Sequence, residues 1–158
     1  MACVLARRLD PIFLRRAFMA AAVAWAVTLL AAPYAAGFLT TAPGRVVAAL
    51  PYAVGSVICH QRPERSFALW GQPLPVCARC TGLYAGACLA VAAALARRLV
   101  VDRARMVLGL AAIPTLLTFA YEWSTGDAPS NIVRAVAALP LGAAIASVIL
   151  TAADDRVN

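Results

Sequence analysis

Hydrophobic positions in this chain fall in long uninterrupted blocks, and the polar residues collect in the gaps between them. Residues 17–39 (AFMAAAVAWAVTLLAAPYAAGFL) carry no charge. At about 1.5 Å per residue that block is long enough to cross a hydrocarbon core of about 30 Å. Residues 45–58 (RVVAALPYAVGSVI) are apolar but short and contain Pro51 and Gly55, which predicts an interfacial or re-entrant helix instead of a span. Prolines 63, 73 and 75 interrupt any helix through residues 60–76. Three further spans are expected over residues 80–96 (starting near Cys77), 106–123 (kinked at Pro114) and 131–153. The pattern predicts an all-α integral membrane protein with four transmembrane helices and one short interfacial or re-entrant helix, in a single membrane domain over residues 1–158. Arginines ahead of residue 17 also fit a cleaved signal peptide, but the apolar block exceeds a signal core, so a retained helix is expected.

Composition supports this picture. Hydrophobic residues make up 63% of the chain, against roughly 45–50% in soluble globular proteins. Gly82, Gly86, Ala90 and Ala94 recur every four residues in the second span, a spacing that lets a neighbouring helix come close. All fourteen basic residues are arginine and the net charge is +7. They flank the apolar blocks, where charge sets topology, so the bilayer is the expected partner and nucleic acid is not. With four spans and the amino terminus inside, nine arginines (7, 8, 15, 16, 97, 98, 103, 105 and 156) are cytoplasmic and four (45, 62, 65 and 79) are outside. Counting residues 45–58 as a fifth span removes the bias. Cytoplasmic excess therefore favours four spans in an inner (plasma) membrane, both termini cytoplasmic and the cysteine-containing segment 59–80 outside.

That outer segment concentrates the polar chemistry: it contains the only histidine and three of the five cysteines. The pair Cys77 and Cys80 has the two-residue spacing at which both thiolates reach one ion, and with Cys59 and His60 it completes a Cys3His set suited to zinc. Neighbouring side chains in an extended chain point apart, so a three-thiolate site with His60 behind it is a variant of the same reading. A second reading is redox. Cys77 and Cys80 at a helix start would have a lowered thiol pKa, with Arg79 adding positive charge, Cys59 as exchange partner and a membrane quinone as electron acceptor. A structural staple, or a non-catalytic subunit held to a membrane or periplasmic protein, is the third. Cys88 reads as a packing residue and Cys3 as an incidental thiol. Around the cluster, Gln61, Arg65 and Ser66 can hydrogen-bond into the site, with Glu64 an alternative partner for Arg65. Arg134 would be costly unpaired at the start of a span, and Glu122 is its expected partner. Tyr84 reads as an interface anchor.

The segments CHQRPERSF and CARCTGLYAG resemble the signature of an uncharacterised prokaryotic family of small predicted membrane proteins, classed as a domain of unknown function. The later PSNIVRAVAALPLG is similar to that family's second motif, placed here at Ser130, Asn131, Arg134 and Gly142. One position departs: where an Asp-Gly pair is expected near the outer end of the third span, this chain has Tyr121-Glu122. The resemblance implies a membrane protein with a cysteine-based site, and Glu122 in place of the aspartate.

Overall fold

The computed structural model describes residues 10–97 and 99–154; Cys3, Arg7, Arg8, Arg98 and Arg156 lie outside them. Five α-helices follow in chain order: α1 Pro11–Phe38, α2 Ala42–Ile58, α3 Ala78–Ala96, α4 Ala104–Thr125 and α5 Asn131–Asp154. Four of them, all but α2, are long and apolar enough to cross a membrane. Helix α1 begins where Asp10 caps it, its carboxylate accepting from the Ile12 N–H at 3.0 Å, with Pro11 in the first turn. At 28 residues, or about 42 Å, it outreaches the hydrocarbon core.

The spans alternate in direction. At one end Arg15 donates to the Ala94 carbonyl at 3.0 Å and pairs with Asp154 at 3.2 Å, so the start of α1 meets the ends of α3 and α5. At the other end, Glu122 in the last turn of α4 reaches Arg79 and Arg134 in the first turns of α3 and α5, while Leu29 of α1 packs with Val76 just ahead of α3. Helix α2 stays at that second end. It leaves from the end of α1, capped by Thr41 on the Gly44 N–H at 3.3 Å, and delivers Cys59 to the start of α3. This is the short apolar helix expected between the first two spans.

Helices α3 and α5 pack backbone to backbone. A Cβ on Gly82 would collide with Ala135, one on Gly86 with Leu139, and one on Gly142 with Leu83. Gly82, Gly86, Ala90 and Ala94 are all buried, as their spacing predicts. Helix α4 differs: Thr118 is its only buried side chain among the described residues, and Leu110, Leu116, Leu117 and Trp123 face outward for lipid. It joins α5 through Thr115, whose hydroxyl donates to the Ala137 carbonyl at 2.9 Å.

The stretch between α2 and α3 is more ordered than its prolines suggest. A 3₁₀ turn (Pro63–Arg65) leads to a two-stranded antiparallel hairpin, β1 Ala68–Leu69 and β2 Gln72–Pro73. Trp70 and Gly71 form its tip, with φ of 51° and 76°, the pair of left-handed residues that a two-residue hairpin turn needs. The Trp70 ring packs edge to face on Tyr34 of α1, centroids 5.7 Å apart, which compensates a conformation otherwise unfavourable for a bulky residue.

A thiol cluster beside a guanidinium cluster

Cys59, Cys77 and Cys80 converge, their three Sγ atoms within 4.8 Å of one another. Two local features produce this. Cys77 is the N-cap of α3, so Cys80 returns one turn later and the two sulfurs stand 3.6 Å apart. Cys59 is held against them from the far end of the loop: the Cys77 backbone N–H donates to the Cys59 sulfur at 3.2 Å. Leu29 and Val76 close the cluster on the α1 side, with Trp25 and Tyr84 packed around it.

The loop is tied by a side chain. Gln61, at φ 46°, donates through Nε2 to the carbonyls of Tyr52 and Pro75 at 2.6 and 2.7 Å. One amide thus joins the end of α2 to the segment entering α3. Gly55 fits beneath it, where a Cβ would collide with the Pro75 carbonyl.

His60 does not join the sulfurs. It is exposed while Cys59 beside it is buried, the divergence expected of adjacent side chains, and it lines the adjoining cavity instead. The Cys77 thiol is lowered to about 5, first by hydrogen bonding with the Cys80 thiol, with the backbone amides of Cys80 and Arg79 acting the same way against the effect of burial. The Arg79 guanidinium is engaged elsewhere, so the positive charge expected between the two cysteines turns away from them.

It turns to Glu122. Arg79 Nη2 donates to Glu122 Oε2 at 2.9 Å and lies 3.4 Å from the Thr118 hydroxyl, its guanidinium 3.7 Å above the Phe119 ring. Arg65 pairs with Glu122 Oε1 at 2.7 Å, not with Glu64. The expected pairing of Arg134 with Glu122 is present but long, 3.8 Å; the nearer partner of Arg134 is Asn131 Oδ1, 3.4 Å from Nη1. Asn131 also donates to the Ser66 carbonyl at 3.0 Å, and the Ser66 hydroxyl donates back to the Arg62 carbonyl at 3.0 Å. One carboxylate on α4 thus gathers arginines from the loop, α3 and α5. Sequence reasoning found the Arg134–Glu122 pair from the cost of an unpaired span arginine, but not that Arg65 and Arg79 share it.

Tyr84 packs edge to face with Trp25, ring centroids 6.0 Å apart. Cys88 is half-buried against α1, its sulfur 3.7 Å from the Ala22 carbonyl. A cavity of about 580 Å³ is lined by residues of both clusters, the thiols of Cys59, Cys77 and Cys80 and the guanidiniums of Arg65, Arg79 and Arg134.

Residues 59–148, more than half of the chain and spanning both clusters, match the family described as "Predicted membrane protein (DUF2085)". The chain belongs to this family of predicted membrane proteins. A relative from Methanothermobacter thermautotrophicus, described as an uncharacterised protein, is 34% identical over 90 residues, covering 56% of this chain and 81% of the relative. An uncharacterised protein of Methanocaldococcus jannaschii, MJ1492, is 60% identical over 35 residues, 22% of each chain; the alignment thus spans under a quarter of that relative. No solved structure matches. The DUF2085 match begins at Cys59, so α1 and α2 lie ahead of the matched region.

Proposed function

We propose that this DUF2085 protein binds a transition metal, zinc by preference, through the thiolates of Cys59, Cys77 and Cys80. The observation that carries this reading is the convergence of the three sulfurs, with a backbone N–H already donating to one of them. Zinc–sulfur bonds of about 2.3 Å put tetrahedral sulfurs roughly 3.8 Å apart, close to the 3.6 Å between Cys77 and Cys80. Amide donation to sulfur stabilises thiolate and orients it, as hydrogen bonds behind metal ligands do. Three thiolates leave a fourth position for a ligand from the cavity, which His60 lines.

The purified protein should carry about one zinc per chain, and a chelator should expose about three reactive thiols. Cys77→Ser and Cys80→Ser should each abolish stoichiometric metal. A metal-free protein whose thiols respond to a dithiol would end the zinc reading.

That result would favour a second reading, supported by the Cys77 thiol at about 5. The Cys77–Cys80 dithiol would pass two electrons and two protons to a membrane quinone, leaving a disulfide and a quinol. Full zinc occupancy with no dithiol response would exclude it.

The arginine distribution supports an orientation in a plasma membrane with both termini cytoplasmic and both clusters at the outer face. Ser124, exposed at the end of α4, reports it. Ser124→Cys, in a chain whose native cysteines are serine, should react with a membrane-impermeant thiol reagent in intact cells. Labelling only after lysis would invert the orientation.

A further inference from the structure

The guanidinium cluster has one member too many for its carboxylate. Both oxygens of Glu122 are taken, Oε1 by Arg65 at 2.7 Å and Oε2 by Arg79 at 2.9 Å. Arg134, only 2% exposed, stands at ion-pair distance from Oε1, with Nη2 3.8 Å away, but its Nε and Nη2 make no hydrogen bond. Those two nitrogens form one edge of the guanidinium, the edge that takes a carboxylate or phosphate with two parallel hydrogen bonds. Arg79 Nε is buried and unpartnered as well.

Arg134 lines the cavity shared by the two clusters, together with Arg62, Arg65 and Arg79, and no carboxylate among the described residues lines it. Much of the remaining wall is apolar, including Leu83 and Phe119. At about 580 Å³ the space is far larger than a bare oxyanion and within the range of small-molecule sites. Buried charges persist where they are paired, and here three guanidiniums share the single negative charge of Glu122, which leaves room for a second anion.

We propose that this cavity binds an amphipathic oxyanion, a phosphate or carboxylate on an apolar body, with the Nε–Nη2 edge of Arg134, which makes no hydrogen bond within the protein, holding the anionic group and Leu83 and Phe119 the apolar part. The site does not rest on metal binding by the neighbouring thiols.

The test uses the full chain in phosphatidylcholine nanodiscs, titrated calorimetrically with hexyl phosphate. Inorganic phosphate, hexanol and hexyltrimethylammonium are the comparison ligands. Hexyl phosphate should bind saturably at one per chain, at least about tenfold tighter than inorganic phosphate or hexanol, and the cation should not bind. Arg134→Lys, which keeps the charge but loses the edge, should weaken hexyl phosphate at least about tenfold, whereas Arg45→Gln, on exposed α2, should change nothing. Absence of a saturable isotherm for the native chain, or equal binding of hexyl phosphate and the cation, overturns the proposal without any variant. Unchanged affinity in a folded Arg134→Lys protein overturns it too. Chelation should leave the affinity unaltered. An affinity that disappears with the metal and survives Arg134→Lys would put the anion on the ion and refute the assignment. Repeating the titration in phosphatidylglycerol nanodiscs separates the sources: weaker binding there identifies a lipid headgroup as occupant, and unchanged binding identifies a free amphipathic anion.

Discussion

The two clusters that line the cavity, a thiol wall and a guanidinium wall, are built in opposite ways. The thiol wall is nearly local: Cys77 and Cys80 share one helical turn, and Cys59 is returned to them by a loop that Gln61 ties at both ends. The guanidinium wall is assembled from remote pieces, with Arg65, Arg79 and Arg134 meeting a single carboxylate on α4. A local cluster depends on the geometry of one turn. A remote one depends on the whole bundle, and in return it couples the bundle to the site.

The largest expected effect tests whether the walls are chemically separate. Cys77→Ser should reduce bound zinc from about one per chain to a trace, while Arg134→Lys should leave the stoichiometry intact, as measured by metal analysis. Equal loss in both variants would mean that one wall cannot form without the other. Next comes Glu122→Gln, which strands three guanidiniums at partly or fully buried positions. Removing one partner of a buried ion pair costs about 3–5 kcal/mol, so thermal unfolding in detergent should shift by many degrees while the thiols stay close together. Gln61→Ala loses two short hydrogen bonds and leaves the Pro75 carbonyl at the loop base unpaired, a cost of about 1–3 kcal/mol. It should also loosen Cys59 more than Cys77 and Cys80, seen as faster alkylation of Cys59 in the apo-protein.

The pH dependence of Cys77 in the metal-free protein gives a finer test. Its thiol lies at about 5, below the ordinary value of 9.0. The folded-state value is depressed, so the thiolate's contribution to stability is complete above about 9 and is lost as pH falls through about 5. Alkylation of Cys77 should level off above about pH 6 and fall about tenfold per unit below 5; a midpoint near 8 or 9 would remove the depressed thiol. Arg79→Ala should give the smallest effect, moving that midpoint by less than about half a unit, because the guanidinium faces Glu122 and not the sulfurs. A larger shift would show that the two walls communicate by charge.

What could be read from the chain divides along the same line. The spans and the short α2 follow from the lengths of apolar blocks, and the α3–α5 approach from glycines one turn apart. The meeting of Cys59 with Cys77 and Cys80 is legible because a two-residue cysteine spacing at a helix start leaves few other partners in the same loop. The sharing of Glu122 is not legible: which of fourteen arginines reach one carboxylate depends on where α4 docks, a property of no single segment. The hairpin escaped because Trp70-Gly71 is not the Asn-Gly or Asp-Gly pair that announces such a turn, and its stability comes from Tyr34 in another helix. His60 shows the converse limit, since its exposure beside buried Cys59 follows from backbone direction at one residue.

The glycine seam between α3 and α5 also sets a timetable. Gly82 packs on Ala135 and Gly86 on Leu139, partners that are synthesised only after all of α4. At about 5–20 residues per second, α3 waits roughly 3 to 10 s in the membrane with its small-residue face uncovered before α5 arrives. During that interval the face is open to any other passing helix, so α4 must stand aside from a seam that it precedes.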